Sequence, residues 1–123
     1  MADSPVRGFS HVQLRVSDVE KSADWWSRAL GLQRMTDGPI SGALPLAGSD
    51  GRFVVVISGE RRDNAGGEVD HVAFSIKNRD DLAAWGDHLT QEGIEHSGLV
   101  ESNEGLSIHL TDPDGLAVEL IAP

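Results

Sequence analysis

The stretch DHVAFSI, residues 70–76, decides the fold, because a related stretch, SHVQLRV, occupies residues 10–16, sixty positions earlier. His11 aligns with His71, and apolar residues follow both histidines at every second position. The match continues without a gap as far as Trp25 and Trp85. Alternation of apolar residues predicts a strand, and the 3.6-residue spacing after it predicts a helix. A strand headed by a histidine and followed by a helix is therefore the repeated unit.

Each copy of this unit is followed by three short apolar segments separated by turn residues. The first helix starts at a Ser17–Glu20 capping box or at Asp18 and ends near Gly31, whereas the second is capped by Asn78 and ends near Gly93. Strands are predicted at about 9–16, 32–35, 40–46, 52–58, 70–76, 94–99, 106–111 and 116–121. This pattern predicts an α+β fold with two βαβββ modules, residues 9–58 and 70–121. We expect residues 1–123 to form a single domain, with a loose leader at 1–8 and a linker at 59–69.

Composition excludes several classes of site and partner. The 123 residues contain no cysteine, which rules out disulfides, thiolate metal sites and cysteine nucleophiles. Twenty acidic and ten basic residues give a formal charge of −10, which argues against nucleic acid or an anionic membrane as partner. No apolar run approaches the roughly 20 residues of a membrane span. We therefore expect a soluble cytoplasmic protein.

The face of the predicted sheets opposite the helices carries the side chains that can bind a metal or transfer a proton. We call it the cup face. Two histidines, His11 and His71, lie on it, and Glu119 lies on it within an otherwise apolar strand. Burying a carboxylate is costly unless it is paired or bound to a cation. Two histidines and a carboxylate suit divalent Fe, Mn, Ni, Co or Zn. The alternative is that each histidine is simply half-exposed on a solvated sheet face.

Other residues are predicted on the same face. His109 is a candidate acid or base, or an ordinary polar residue of an open face. Gln13 follows the first histidine two positions along its strand. An apolar wall of the cup is expected from Phe53, Val55 and Ile57.

Three segments together resemble a known family. HVQLRVSDVEKSADWWSRALGL, DHVAFSIKNRDDLAAWGDHLTQEGI and DPDGLAVEL occur in this order, and the similarity extends from about residue 9 to residue 122. The chain thus resembles the vicinal oxygen chelate superfamily of glyoxalases, extradiol dioxygenases and bleomycin-resistance proteins. The resemblance implies a cup-shaped eight-stranded mixed sheet, often completed between two subunits, and hence a homodimer. It places the metal ligands on His11, His71 and Glu119. The catalytic candidates, Gln13 and His109, follow from their own positions on the cup face.

The family's further metal ligand falls on Val55, a departure that separates this chain from glyoxalase I and methylmalonyl-CoA epimerase. The resemblance implies a metal-dependent enzyme acting on a small oxygenated substrate, with dioxygenase-like or glyoxalase/isomerase-like chemistry. One alternative is a metal-independent, bleomycin-resistance-like protein that binds a drug or metabolite. A further alternative is a fosfomycin-resistance-like thiol transferase, for which Arg15 is the one cation expected on the cup face.

Overall fold

The computed structural model describes residues 9–49, 51, 53–59 and 69–123. The predicted leader at 1–8 and linker residues 60–68 lie outside this part. The described strands are β1 His11–Arg15, β2 Gln33–Arg34, β3 Ala43–Ala47, β4 Val54–Ser58, β5 His71–Ser75, β6 Val100–Ser102, β7 Gly105–Thr111 and β8 Ala117–Ala122. The helices are α1 Val19–Leu30 and α2 Arg79–Gln91. Among the described residues, no helix is long and apolar enough to cross a membrane.

The predicted α+β fold with two βαβββ modules is confirmed. The first sheet has the order β1-β4-β3-β2 and the second has the order β5-β8-β7-β6. In each sheet the first strand pairs parallel with the last strand of its module, and the other pairs are antiparallel. The described strands thus form two four-stranded sheets, and β1 and β5 each lie at the edge of one of them.

The two helices begin at the predicted caps, with one change at α1. Asp18, and not Ser17, is the N-cap, because the Asp18 carboxylate accepts the Lys21 backbone N–H at 3.1 Å. The Ser17 hydroxyl instead donates to Asp114 in the other module at 2.7 Å. Gly31 ends α1 with φ of 69°, a left-handed conformation that glycine adopts without steric cost.

One hydrophobic core joins the two modules. Trp26 of α1 is fully buried and packs edge-on against Phe74 of β5, with ring centroids 6.0 Å apart. Its indole N–H donates to the buried carboxylate of Asp112 at 3.3 Å. Near the C-terminal end of α1, the Trp85 indole N–H donates to the Ala29 carbonyl at 2.7 Å. The helix-facing sides of both sheets are therefore turned toward this core, and the cup faces are turned away from it.

The predicted strand at 94–99 is wrong, since the corresponding strand, β6, begins at Val100. Ile94 is buried next to the end of α2, and Gly98 has φ of 74°, which interrupts an extended backbone. A single backbone hydrogen bond, from Ser97 to the His109 carbonyl at 3.0 Å, ties this segment to β7.

Candidate metal-binding face

The second module brings two of the three predicted ligands together. His71 heads β5 and Glu119 lies on the neighbouring strand β8, where it is paired with Ala73. The two side chains are thus diagonal neighbours on the cup face. His71 Nε2 and Glu119 Oε2 lie 3.5 Å apart, with the Glu119 side chain 15% exposed and that of His71 46% exposed. A carboxylate and an imidazole therefore meet at a partly covered but accessible point.

The spacing of these two atoms fits a shared cation. Ligand atoms about 2.1 Å from one ion, at coordination angles of 90–110°, lie roughly 3.0–3.4 Å from each other. The observed separation of 3.5 Å is close to that range. A small side-chain adjustment would therefore bring these two atoms to the spacing of two ligands of one ion.

The other nitrogen of the His71 ring contacts a residue that the motif analysis did not single out. His71 Nδ1 lies 2.7 Å from the Asp70 carboxylate. This hydrogen bond, together with the negative charges of Asp70, Glu119 and Glu104, raises the pKa of the His71 imidazole above its usual value of 6.5. A signal was present in the sequence, because the residue before each strand-heading histidine, Ser10 or Asp70, is able to hydrogen-bond with the ring.

His109 lies on the cup face as predicted, directly opposite Glu119 in the pairing of β7 with β8. Its backbone N–H donates to the Ser97 hydroxyl at 2.9 Å, and its Nε2 lies 3.1 Å from the Ser107 hydroxyl. The ring is exposed and is held toward Ser107 along its own strand. It thus lies next to the His71–Glu119 pair in the sheet and remains accessible from solvent.

The first module places His11, Gln13 and Arg15 on its own exposed cup face. The Gln13 amide donates to the Ser58 hydroxyl at 3.4 Å, and the His11 ring contacts Ser10 at 3.1 Å. Among the described residues, no group of three His, Asp or Glu side chains is assembled that could hold a metal ion. The structure of one chain therefore brings His71 and Glu119 together and leaves His11 apart from them.

The predicted apolar wall of Phe53, Val55 and Ile57 is wrong. The Phe53 ring packs against Phe74 on the core side, with ring centroids 5.5 Å apart. Val55 and Ile57 pair with Val12 and Leu14, are fully buried, and belong to the helix-facing side of β4. Val54 and Val56 are the β4 valines on the cup face, paired with His11 and Gln13. The faces of β4 could not be assigned from the sequence, because residues 53–57 are all apolar and show no alternation with polar residues.

The first-module position equivalent to Glu119 is Val56 and not Val55, and both residues are valines. Glu119 pairs with Ala73, and the residue that pairs with Gln13, the counterpart of Ala73 in the repeat, is Val56. The first module thus has a valine where the second module has Glu119. The actual apolar wall of the first cup face consists of Val54, Val56 and their β3 neighbours, Ala43, Pro45 and Ala47, all half-buried.

A groove of about 1300 Å³ runs along both edge strands and is lined by His11 and His71. Val12 and Phe74 also line it, and both remain only half-buried in their own sheets. Phe9 and Val69, which precede β1 and β5, extend the apolar surface and are 93% and 64% exposed. The two predicted histidine ligands therefore open onto one common, mainly apolar groove.

Residues 8–120 match the family model described as Glyoxalase/Bleomycin resistance protein/Dioxygenase superfamily. Over 123 aligned residues the chain is 28% identical to MhqA of Bacillus subtilis (strain 168), whose name proposes a ring-cleaving dioxygenase activity. The alignment covers 93% of this chain and 39% of MhqA, so the chain spans about two fifths of that relative.

Two solved structures share the fold at low identity. TnmS3, an antibiotic-binding protein from Streptomyces sp. CB03234, superposes with a TM-score of 0.78 at 20% identity, covering 98% of this chain and 99% of TnmS3. The fosfomycin resistance protein FosX from Listeria monocytogenes superposes with a TM-score of 0.69 at 21% identity, covering 96% and 94%. At these identities the likeness concerns the fold alone.

Proposed function

We propose that this chain, which belongs to the Glyoxalase/Bleomycin resistance protein/Dioxygenase superfamily, is a metal-dependent enzyme that acts on a small oxygenated substrate. The observation that carries the proposal is the 3.5 Å approach of His71 Nε2 to Glu119 Oε2 on an accessible sheet face. A neutral imidazole nitrogen and a carboxylate oxygen both present lone pairs, so a cation or a proton between them stabilises the pair.

The third ligand in this proposal is His11 of a second chain. β1 and β5 are edge strands, and the apolar residues beside them, Phe9 and Val69, are largely exposed. Exposed edge strands with apolar side chains favour pairing with another chain. A homodimer in which β1 of one chain lies beside β5 of its partner would bring His11 to the His71–Glu119 pair and form an eight-stranded cup.

Three ligands leave open coordination positions, and a divalent metal there would polarise the oxygen atoms of a bound substrate. His109 is exposed beside Glu119 and can hydrogen-bond to substrate or exchange a proton with it through its ring. The Gln13 amide can bind a substrate oxygen. The Val54–Val56 wall favours a substrate with an apolar, for example aromatic, part.

The likeness to MhqA favours dioxygenase-like chemistry, with glyoxalase/isomerase-like chemistry as the other reaction type of the proposal. A cytoplasmic location also stays a prediction.

Metal content tests the proposal. Protein purified without chelator and then supplied with Fe, Mn, Ni or Zn should hold close to one ion per chain by elemental analysis. His71→Ala and Glu119→Ala should each lose it, whereas His109→Ala should retain it. Glu101→Ala, which removes a carboxylate from an exposed ion pair with Arg79, controls for the loss of one negative charge. Wild-type protein that holds no metal under all four conditions would overturn the metalloenzyme proposal.

A second candidate function is metal-independent binding of a drug or metabolite. The groove of about 1300 Å³ favours it, because its volume and largely apolar lining suit a sizeable organic ligand. This function predicts that ligand binding survives both His71→Ala and Glu119→Ala. Loss of binding together with loss of metal in both variants would exclude it.

A further inference from the structure

The two histidines that head β1 and β5 differ in the residue that contacts their second ring nitrogen. His71 Nδ1 lies 2.7 Å from the Asp70 carboxylate, whereas His11 Nδ1 lies 3.1 Å from the Ser10 hydroxyl. Ser10 and Asp70 occupy the same place in the sixty-residue repeat. The repeat has therefore kept the histidine and changed the group that orients it.

The chemistry of the two partners has different consequences for the ring. A carboxylate only accepts hydrogen bonds, so the contact with Asp70 requires a hydrogen on His71 Nδ1. In the neutral ring the lone pair is then on Nε2, the atom that faces Glu119 Oε2 at 3.5 Å. A hydroxyl both donates and accepts, so the contact with Ser10 does not fix the tautomer of His11.

We infer that Asp70 is a positioning residue, which holds His71 in the Nδ1–H tautomer with its Nε2 lone pair directed at the cation position beside Glu119. Carboxylates placed behind metal-binding histidines orient the ring and increase its basicity as a ligand. Asp70 can do so although its side chain is 94% exposed, because the residue is adjacent to His71 and the contact is short. The role of the tautomer in metal binding rests on the proposed function, but the tautomer itself does not.

The matched variant is Asp70→Ser, which gives His71 the partner that His11 already has. Protein labelled with ¹⁵N in its histidines, kept metal-free at a pH above the His71 titration midpoint measured in the same sample, reports the tautomer through long-range ¹H–¹⁵N couplings. We expect the wild-type His71 ring to carry its hydrogen on Nδ1. Asp70→Ser should give a mixture of tautomers, and Asp70→Glu should restore the wild-type pattern at least in part.

The second measurement is metal affinity by calorimetry with Mn²⁺ and Zn²⁺. We expect Asp70→Ser to weaken binding by about 10-fold to 100-fold, the usual effect of losing such a partner. Asp37→Ala removes one exposed carboxylate elsewhere and should leave affinity close to that of wild type. This control separates orientation of the ring from a general loss of negative charge.

Each outcome decides the inference. A wild-type His71 with its hydrogen on Nε2 overturns it, and so does an Asp70→Ser variant whose tautomer matches that of the wild type. Unchanged affinity in Asp70→Ser, beside a wild type that binds metal, also overturns it. A wild type that binds neither of these metals, nor Fe or Ni, but shows the Nδ1–H tautomer, lost in Asp70→Ser, contradicts the proposed function and supports the orienting role of Asp70.

Discussion

Mixing two variants that each bind no metal should restore metal binding if the site is built between two chains. The variants are His11→Ala, altered in the first module, and Glu119→Ala, altered in the second. In one chain His71 and Glu119 lie together, while His11 forms no group with them among the described residues. Each variant alone then lacks one ligand at every site of its homodimer, and both should be metal-free.

A site shared between two chains predicts how much metal the mixture binds. Random exchange of equal amounts of the two variants makes about half of the dimers mixed, by the statistics of two-fold assembly. In a mixed dimer one site combines both substitutions, and the other combines an unaltered His11 with an unaltered His71–Glu119 pair. The mixture should therefore bind about one quarter of the wild-type metal.

Elemental analysis after subunit exchange measures this quantity, with sedimentation confirming that each variant forms a dimer. The control is a mixture of His71→Ala and Glu119→Ala, whose substitutions lie in the same module. Every site of that mixture keeps one altered ligand, so no restoration is expected. Dimeric variants whose His11→Ala and Glu119→Ala mixture stays metal-free would refute the shared site, as would equal restoration in the control.

Three further predictions concern stability and protonation. Val55→Ala should lower the free energy of unfolding by about 2 kcal/mol because the side chain is in the core, and Val56→Ala should lower it by less than about 1 kcal/mol; equal losses in denaturant unfolding would contradict the assigned faces of β4. Asp112→Ala should cost about 3 kcal/mol, since it leaves one indole and two backbone N–H groups without their acceptor, and a loss below about 1 kcal/mol would contradict this. The metal-free His71 ring should titrate above 6.5, and Asp70→Ser should bring its pKa closer to that value, both by NMR. Because the folded-state pKa is raised, the protonated ring contributes stability below 6.5 that is lost as the pH rises through the raised pKa; a wild-type value at or below 6.5 would refute the effect.

Much of the fold could be read from local patterns. The histidine-headed strands, both helix ends and the last two strands were predicted within about two residues, because alternation, caps and glycine stops are encoded by neighbouring residues. The predicted faces of β5, β7 and β8 were right, since each strand has polar residues on the cup face and apolar residues on the alternate positions. The position of strand β6 was predicted wrongly, because the sequence alone does not show that Ile94 is buried beside the end of α2.

The sequence by itself determined the duplication, the two βαβββ modules and the placement of His71 and Glu119 on one face, because all three follow from periodicity within strands. The tertiary structure decided which face of β4 enters the core and that His11 lies apart from the other two predicted ligands. It did so through contacts between distant residues, such as Trp26 with Asp112 and Ser17 with Asp114. These contacts fix how the modules pack against each other, and no local period encodes them.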